Sequence, residues 1–309
     1  MKRKIIFQAI AVIVVLAAII ALWFAFKNNS NTPRPITDYV IYLVPTNNTA
    51  ILVININHTP ETATLQGMEK TFRGINDKLI AAGKLPDKTT LNVLLAQPGL
   101  GGSAFSERRL FARTAYKSGK DLVISIDMTD KFKWPWESGD LRMFQIDEDI
   151  TRRFERLAVA ARHVWKRPPD AILESQSTRF LIKGNNGSIT LPDLFEKGKL
   201  HKDFKLGKIV CVGAPLRGMK IDTSFKNECL GEVLAITTPS KTGLIASEPI
   251  KGASAVEVKL SNGKRVRHKM LFREKWPDKQ ANPIPDLSAM FLNGEPIDKI
   301  QAEADRRQR

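Results

Sequence analysis

The sequence predicts an α/β domain in three layers, a mostly parallel sheet with helices on both faces, preceded by one transmembrane helix. Three observations carry this. Apolar, β-branched runs of strand length alternate with segments whose apolar residues recur every three or four positions. The stretches joining the runs are long enough to be crossover helices, which parallel neighbours require. Residues 5–26 carry Gln8 as their one strongly polar side chain, over a length that exceeds the ~20 residues needed to cross a bilayer core.

Lys2, Arg3 and Lys4 precede the apolar run, and only Lys27 and Arg34 follow it closely. That asymmetry predicts a cytosolic N-terminus and an exported C-terminal domain. The run ends in the bulky Leu22-Trp23-Phe24-Ala25-Phe26, without a small-x-small cleavage site, so it is expected to remain as a signal anchor. The organisation that follows is a cytosolic tail (1–4), an anchor (5–26), a polar stem (27–37), an α/β domain (38–276) and a polar, loosely held C-terminal tail (277–309).

Within the domain, residues 39–44 and 50–56 read as strands. Leu65, Met68, Phe72, Ile75 and Leu79 mark a helix over 61–82. A buried strand is expected at 90–96, then a helix over 106–117 with Ser106 as N-cap and Gly119 as its stop. The run 122–126 is the next strand, and 149–166 is a long amphipathic helix halted by Pro168-Pro169. Further strands are expected at 179–183, 208–212, 233–236 and 255–260, in a region otherwise poor in helix. No internal repeat is visible.

A net charge of +16 points to an anionic partner. The cations are spread along the chain rather than gathered with aromatics, so nucleic acid is not expected. The two cysteines, Cys211 and Cys229, can form a disulfide in an oxidising lumen or remain as buried thiols. Sequons at Asn28, Asn47, Asn57 and Asn186 are candidate glycosylation sites if the chain enters a secretory pathway.

Several patterns have chemical and plain readings. Gly99-Leu100-Gly101-Gly102-Ser103-Ala104 matches G-x-G-x-x-A, with Asp127 closing the next strand, yet it does not lie in the first βαβ unit that a dinucleotide site requires. Asp147-Glu148-Asp149 can offer hard oxygens to a cation, or form an acidic first turn that complements a helix dipole. Four histidines show no metal-ligand spacing and no G-x-S-x-G elbow occurs, so zinc and serine hydrolase chemistry lack support. Asp127 and Asp130 lie at the carboxyl end of an expected parallel strand, where open α/β sheets bind ligands.

Order and spacing over residues 50–260 resemble the β1,3-galactosyltransferase family of type II Golgi enzymes. Met68-Glu69-Lys70-Thr71-Phe72 falls where members carry I-R-x-T-W. Glu107 follows the glycine-bearing loop, as the family's glutamate does. Residues 119–132 resemble G-D-I-h-x-x-D-F-x-D-x-Y with one insertion, matching Asp121, Asp127 and Asp130 and placing Phe132 at the tyrosine. Residues 214–220 resemble the P-h-R…K stretch, and Val256-Glu257-Val258 stands at E-D-V. The departure is at 184–187: after Lys183, the D-D-D metal motif is replaced by Gly184-Asn185-Asn186-Gly187.

The resemblance implies a three-layer α/β/α sandwich of the nucleotide-sugar transferase type in the Golgi membrane, its catalytic domain lumenal. It implies transfer of a hexose from a UDP-sugar to a glycan acceptor. Glu257 would be the base, Asp127 and Asp130 would shape the nucleotide pocket, and Lys183 and Arg217 would meet the phosphates. Mn2+ would bind at Asn185 and Gly187, where the missing carboxylates leave no charge to hold it, so weakened or lost activity is expected. The competing reading is a non-catalytic bacterial envelope protein with a periplasmic α/β binding domain.

Overall fold

The computed structural model describes residues 37–44, 49–85, 87, 89–98, 104–126, 148–174, 189–213, 220–238, 250–266, 270–273, 275–276, 278 and 280–307, all within the unit Ile36–Arg309. The strands are β1 (Thr37–Val44), β2 (Thr49–Ile56), β3 (Val93–Gln97), β4 (Leu122–Ile126), β5 (Asp170–Glu174), β6 (Ile209–Val212), β7 (Val233–Thr237) and β8 (Ser254–Glu257). The helices are α1 (Leu65–Ala81), α2 (Ala104–Lys117), α3 (Glu148–Trp165), α4 (Leu191–Glu196), α5 (Thr223–Cys229), α6 (Ile284–Leu292) and α7 (Ile297–Arg306). The expected anchor at 5–26 lies outside the described residues. Among the described residues no helix is long and apolar enough to cross a membrane.

All eight strands join one sheet in the order β1-β2-β4-β3-β5-β6-β7-β8. β1 pairs antiparallel with β2, and β2 to β8 run parallel. The α/β class expected from the alternation is therefore present. Crossover handedness explains the layers. The connections from β2 to β3, β4 to β5, β5 to β6 and β6 to β7 all advance across the sheet in one direction, and α1, α3, α4 and α5 pack on one face. β3 to β4 steps back, and α2 lies on the other face. Right-handed crossovers require this segregation.

Each strand alternates between the two cores. Leu52, Ile54 and Ile56 join the α1–α3 layer, while Ile51 and Val53 join the α2 layer. In the first layer Trp165 stacks on Phe72 at 5.2 Å, and its indole N–H donates to Asn76 Oδ1 at 2.9 Å. A buried Trp is tolerated because its one polar atom is satisfied. Lys166, at φ 57°, ends α3 ahead of the prolines.

Three expectations are corrected here. Helix α2 starts at Ala104, so Ser106 lies inside it and is not its N-cap. The strand β5, directly after Pro168-Pro169, was not foreseen, because a five-residue run behind two prolines gives too short a periodic signal. The tail over 277–309 is not loosely held. It forms α6 and α7, which bury Ile284, Leu287, Phe291 and Ile300 on the second face of the sheet.

Polar contacts lock that tail in place. Buried Asp286, 7% exposed, accepts from Arg307 at 2.5 Å and pairs with Lys117 and Arg113 of α2. Gln301 of α7 accepts from Glu257 N–H at 2.9 Å and donates to its carbonyl at 3.2 Å. The amide thus closes backbone groups of the outer strand β8, whose edge would otherwise be open to pairing.

The amino edge of the sheet is built for support. Asp170 pairs with Lys120 and accepts from Lys208 N–H at 2.6 Å. Asp121, one of the acids in the family-like segment, accepts from Asn92 N–H at 2.7 Å just before β4, also at the amino edge.

Candidate functional site

The carboxyl edge carries the unexplained polarity. Asn55 of β2, Ser125 of β4, Gln97 of β3 and Glu174 of β5 end four neighbouring strands, and each is at most 5% exposed. Register aligns Asn55 with Ser125, Ser125 with Ala96 and Gln97 with Leu173. Strand alternation puts Asn55, Ser125 and Glu174 on the α2 face and Gln97 on the opposite one.

Their side chains are incompletely used. Asn55 Nδ2 donates to Asn57 Oδ1 at 3.1 Å, and Gln97 Nε2 donates to the Pro98 carbonyl at 3.4 Å. Asn55 Oδ1, Gln97 Oε1 and Ser125 Oγ have no hydrogen-bond partner among the described residues. Buried polar atoms are ordinarily satisfied, so three orphans at one edge call for a partner. Glu174 is the one carboxylate that β2 to β7 carry at this edge.

Topology selects the same place. The chain leaves β3 toward the α2 face but leaves β4 and β5 toward the α3 face, so both sides of β3 are switch points, where open sheets form ligand crevices. Neither Glu174 nor Gln97 was singled out in the sequence. A polar residue at the end of an apolar strand was the available signal, and Glu174 was hidden because β5 itself was missed.

Asp127 and Asp130 follow β4, Lys183, Asn185, Asn186 and Gly187 follow β5, and Arg217 follows β6. All of them lie outside the described residues, as do Asn28, Asn47 and the glycine run 99–103. The family-like metal position offers the amides of Asn185 and Asn186 and no carboxylate. That donor set does not fit Mn2+, which needs charged oxygen ligands.

Glu257 does not share this site. It ends β8, five strand spacings from β4, which is roughly 24 Å across the sheet. Its carboxylate pairs with Lys259 Nζ at 2.5 Å, with 41% of the side chain exposed. That distance and the pairing with Lys259 set Glu257 apart from the buried row, so Glu257 as base is corrected to an edge-strand position held by Gln301.

Two more site expectations change. Cys211 and Cys229 are both free and buried, so the disulfide is replaced by the buried-thiol alternative. Asn57 is 2% exposed and accepts from Asn55, leaving no room for a glycan on the folded domain. Asp149 pairs with Arg153 at 3.0 Å in the first turns of α3, which favours the helix-dipole reading of the acidic run.

One cluster was invisible in the sequence. His163 of α3 lies 2.7 Å from Glu69 through Nδ1 and 3.2 Å from Asp203 through Nε2, and its ring meets that of His201 edge-on at 5.9 Å. Burial pushes the Asp203 carboxyl up, but the His163 hydrogen bond and the charges of His163, His201 and Lys202 hold it below its usual range. The cluster ties α1 to α3 and to the 201–203 turn. Among the described residues no group of His, Cys, Asp and Glu is arranged to hold a metal.

No family model, curated protein or solved structure matches the chain. Fold and site together therefore define its class: an α/β protein with a row of buried polar side chains at the carboxyl edge of a parallel sheet.

Proposed function

We propose that this is a membrane-anchored, hexosyltransferase-like protein that binds a UDP-sugar at the carboxyl edge of β2, β4, β3 and β5. The observation that carries the reading is the buried row Asn55, Ser125, Gln97 and Glu174, with three oxygens unpartnered among the described residues. Amide and hydroxyl oxygens suit the sugar and base edges of a nucleotide donor. Lys183 and Arg217, in the segments after β5 and β6, supply charge for a diphosphate leaving group. Asp127 and Asp130, in the segment after β4, would shape the nucleotide pocket.

In an inverting transfer a carboxylate takes the proton of an acceptor hydroxyl, whose oxygen bonds to the anomeric carbon as the bond to UDP breaks. Glu174 replaces Glu257 in that role, because it ends a central strand beside the switch point. The Golgi membrane, a lumenal domain and a glycan acceptor belong to the same proposal and rest on the anchor and the family resemblance.

The test is calorimetric titration of the full-length chain with UDP and UDP-sugars, with and without Mn2+. Saturable binding is expected in both conditions. Glu174→Gln should keep binding and lower transfer by about 10²-fold or more, the usual scale of general base catalysis. Absence of binding in both conditions would overturn the reading.

One observation favours a second reading, a binding module without chemistry. The family-like base position is ion-paired and remote, and the metal position has amides in place of acids. On that reading UDP-sugars bind and no transfer is detected with any acceptor.

A further inference from the structure

The two faces of β2 are covered unequally. Between β2 and α1 runs a groove of about 920 Å³, at the upper end of the range of about 300–1,000 Å³ that small-molecule sites occupy. Its floor is apolar, from Leu52 and Ile54 of the strand and Ile75 and Leu79 of the helix. Gly74 of the helix wall faces open space, where a Cβ would meet nothing within 4 Å. Glycine disfavours a helix interior, so Gly74 serves the space beside α1 better than it serves α1.

The rim is cationic. Lys70, Lys78 and Lys84 line the groove, all exposed, and their side chains make no hydrogen bond or ion pair with a described residue. Glu61 is the one acid among the described lining residues, and its carboxylate is engaged with its own backbone and Thr59. An apolar trough beneath three ammonium groups with no partner among the described residues complements an amphiphile with an anionic head. Basic side chains at a membrane surface attract anionic lipid in the same way.

The sequence adds the source of such a ligand. A chain tethered by residues 5–26 through the stem 27–37 meets bilayer lipid at high effective concentration. We propose that the groove between β2 and α1 binds one anionic lipid of the bilayer, with an acyl chain on Leu52, Ile54, Ile75 and Leu79 and its head group at Lys70, Lys78 and Lys84. The lipid source rests on the anchor reading; the groove and its charge do not. The site is separate from the carboxyl-edge row, so loss of UDP-sugar binding would leave it intact.

The full-length protein in neutral detergent is titrated with cis-parinaric acid, a fluorescent fatty acid, and the bound probe is displaced with phosphatidylglycerol or phosphatidylcholine of equal chain length. One saturable site is expected, with phosphatidylglycerol displacing at a concentration at least ten-fold lower. Gly74→Leu should fill the trough and abolish probe binding while the unfolding midpoint is retained. The triple variant Lys70→Gln, Lys78→Gln, Lys84→Gln should still bind the probe and lose the ten-fold lipid preference. Unsaturable uptake, equal displacement by both lipids, or full binding by a folded Gly74→Leu protein would each overturn the proposal. An anchor helix lying in the groove would leave the probe no site and would overturn it as well.

Discussion

Burial sets the chemistry of Cys211 and Cys229. Cys211 lies within β6, and burial pushes its thiol up to about 12. Cys229, at the end of α5, is pushed up to about 11 by burial and the nearby Glu228 carboxylate. Thiolate is the reactive form, so both should resist alkylation in the native state. The expected result is slow iodoacetamide labelling of the folded chain and two titratable thiols in denaturant without reductant. No titratable thiol in denaturant would reinstate the disulfide. Gly207 makes a second residue-scale case. A Cβ there would stand 2.2 Å from Asp170 Oδ1, the oxygen that accepts from Lys208 N–H. Gly207→Ala should therefore destabilise the domain by about 2 kcal/mol or more, the scale of a broken buried polar contact, read as a shift in the urea midpoint at constant m-value.

Helix α7 shows how one element can carry its own pH dependence. Glu303 accepts from Arg306 at 2.8 Å and from Arg307 at 2.6 Å. The Arg306 hydrogen bond, joined by those of Arg307 and opposed by burial, holds its carboxyl at about 2 instead of the ordinary 4.5. A carboxyl whose folded value is depressed stabilises the fold above its unfolded value and loses that contribution as pH falls toward the folded one. Amide protection in α7 should thus be constant from pH 7 to pH 5 and decline between about 4.5 and 2, ahead of the central strands. Hydrogen exchange resolved by residue checks this. Loss of α7 and sheet protection in one step would show that Glu303 has no separate role. The Phe72–Trp165 contact between α1 and α3 is apolar and, unlike the His163–Glu69 pair that also joins the two helices, contains no titratable group. Phe72→Ala, which removes the ring stacked on Trp165, should cost about 3–5 kcal/mol at any pH.

At the scale of the molecule, the second face of the sheet depends on the last thirty or so residues. Ile284, Leu287, Phe291 and Ile300 are all within 3% of full burial there. At about 1.5–3 kcal/mol for each buried large apolar side chain, the four together rival the whole 5–15 kcal/mol stability of an ordinary domain. A chain ending at Trp276 should fail to give a cooperative thermal transition and should bind a hydrophobic dye. A sharp transition near that of the full chain would show that α6 and α7 only decorate the fold.

The sequence by itself determined the α/β class, the parallel sheet and the positions of most strands, because strand and helix periods are local and each run spans several residues. It also determined the anchor expectation at 5–26, the basic charge and the places where Asp127, Lys183 and Arg217 stand in the chain. Short or interrupted signals failed. β5 has five residues behind two prolines, and the pattern of α6 and α7 is broken by Pro283, Pro285 and Pro296, so that charge and proline hid a buried stripe. Only the tertiary structure decided which residues meet. Strand order separates Glu257 from β4 by five strand spacings, although both stand at strand ends in the sequence. It gathers Asn55, Gln97, Ser125 and Glu174, from four separate segments, into one buried edge. Contacts of that kind depend on crossover direction and register, which no local pattern encodes.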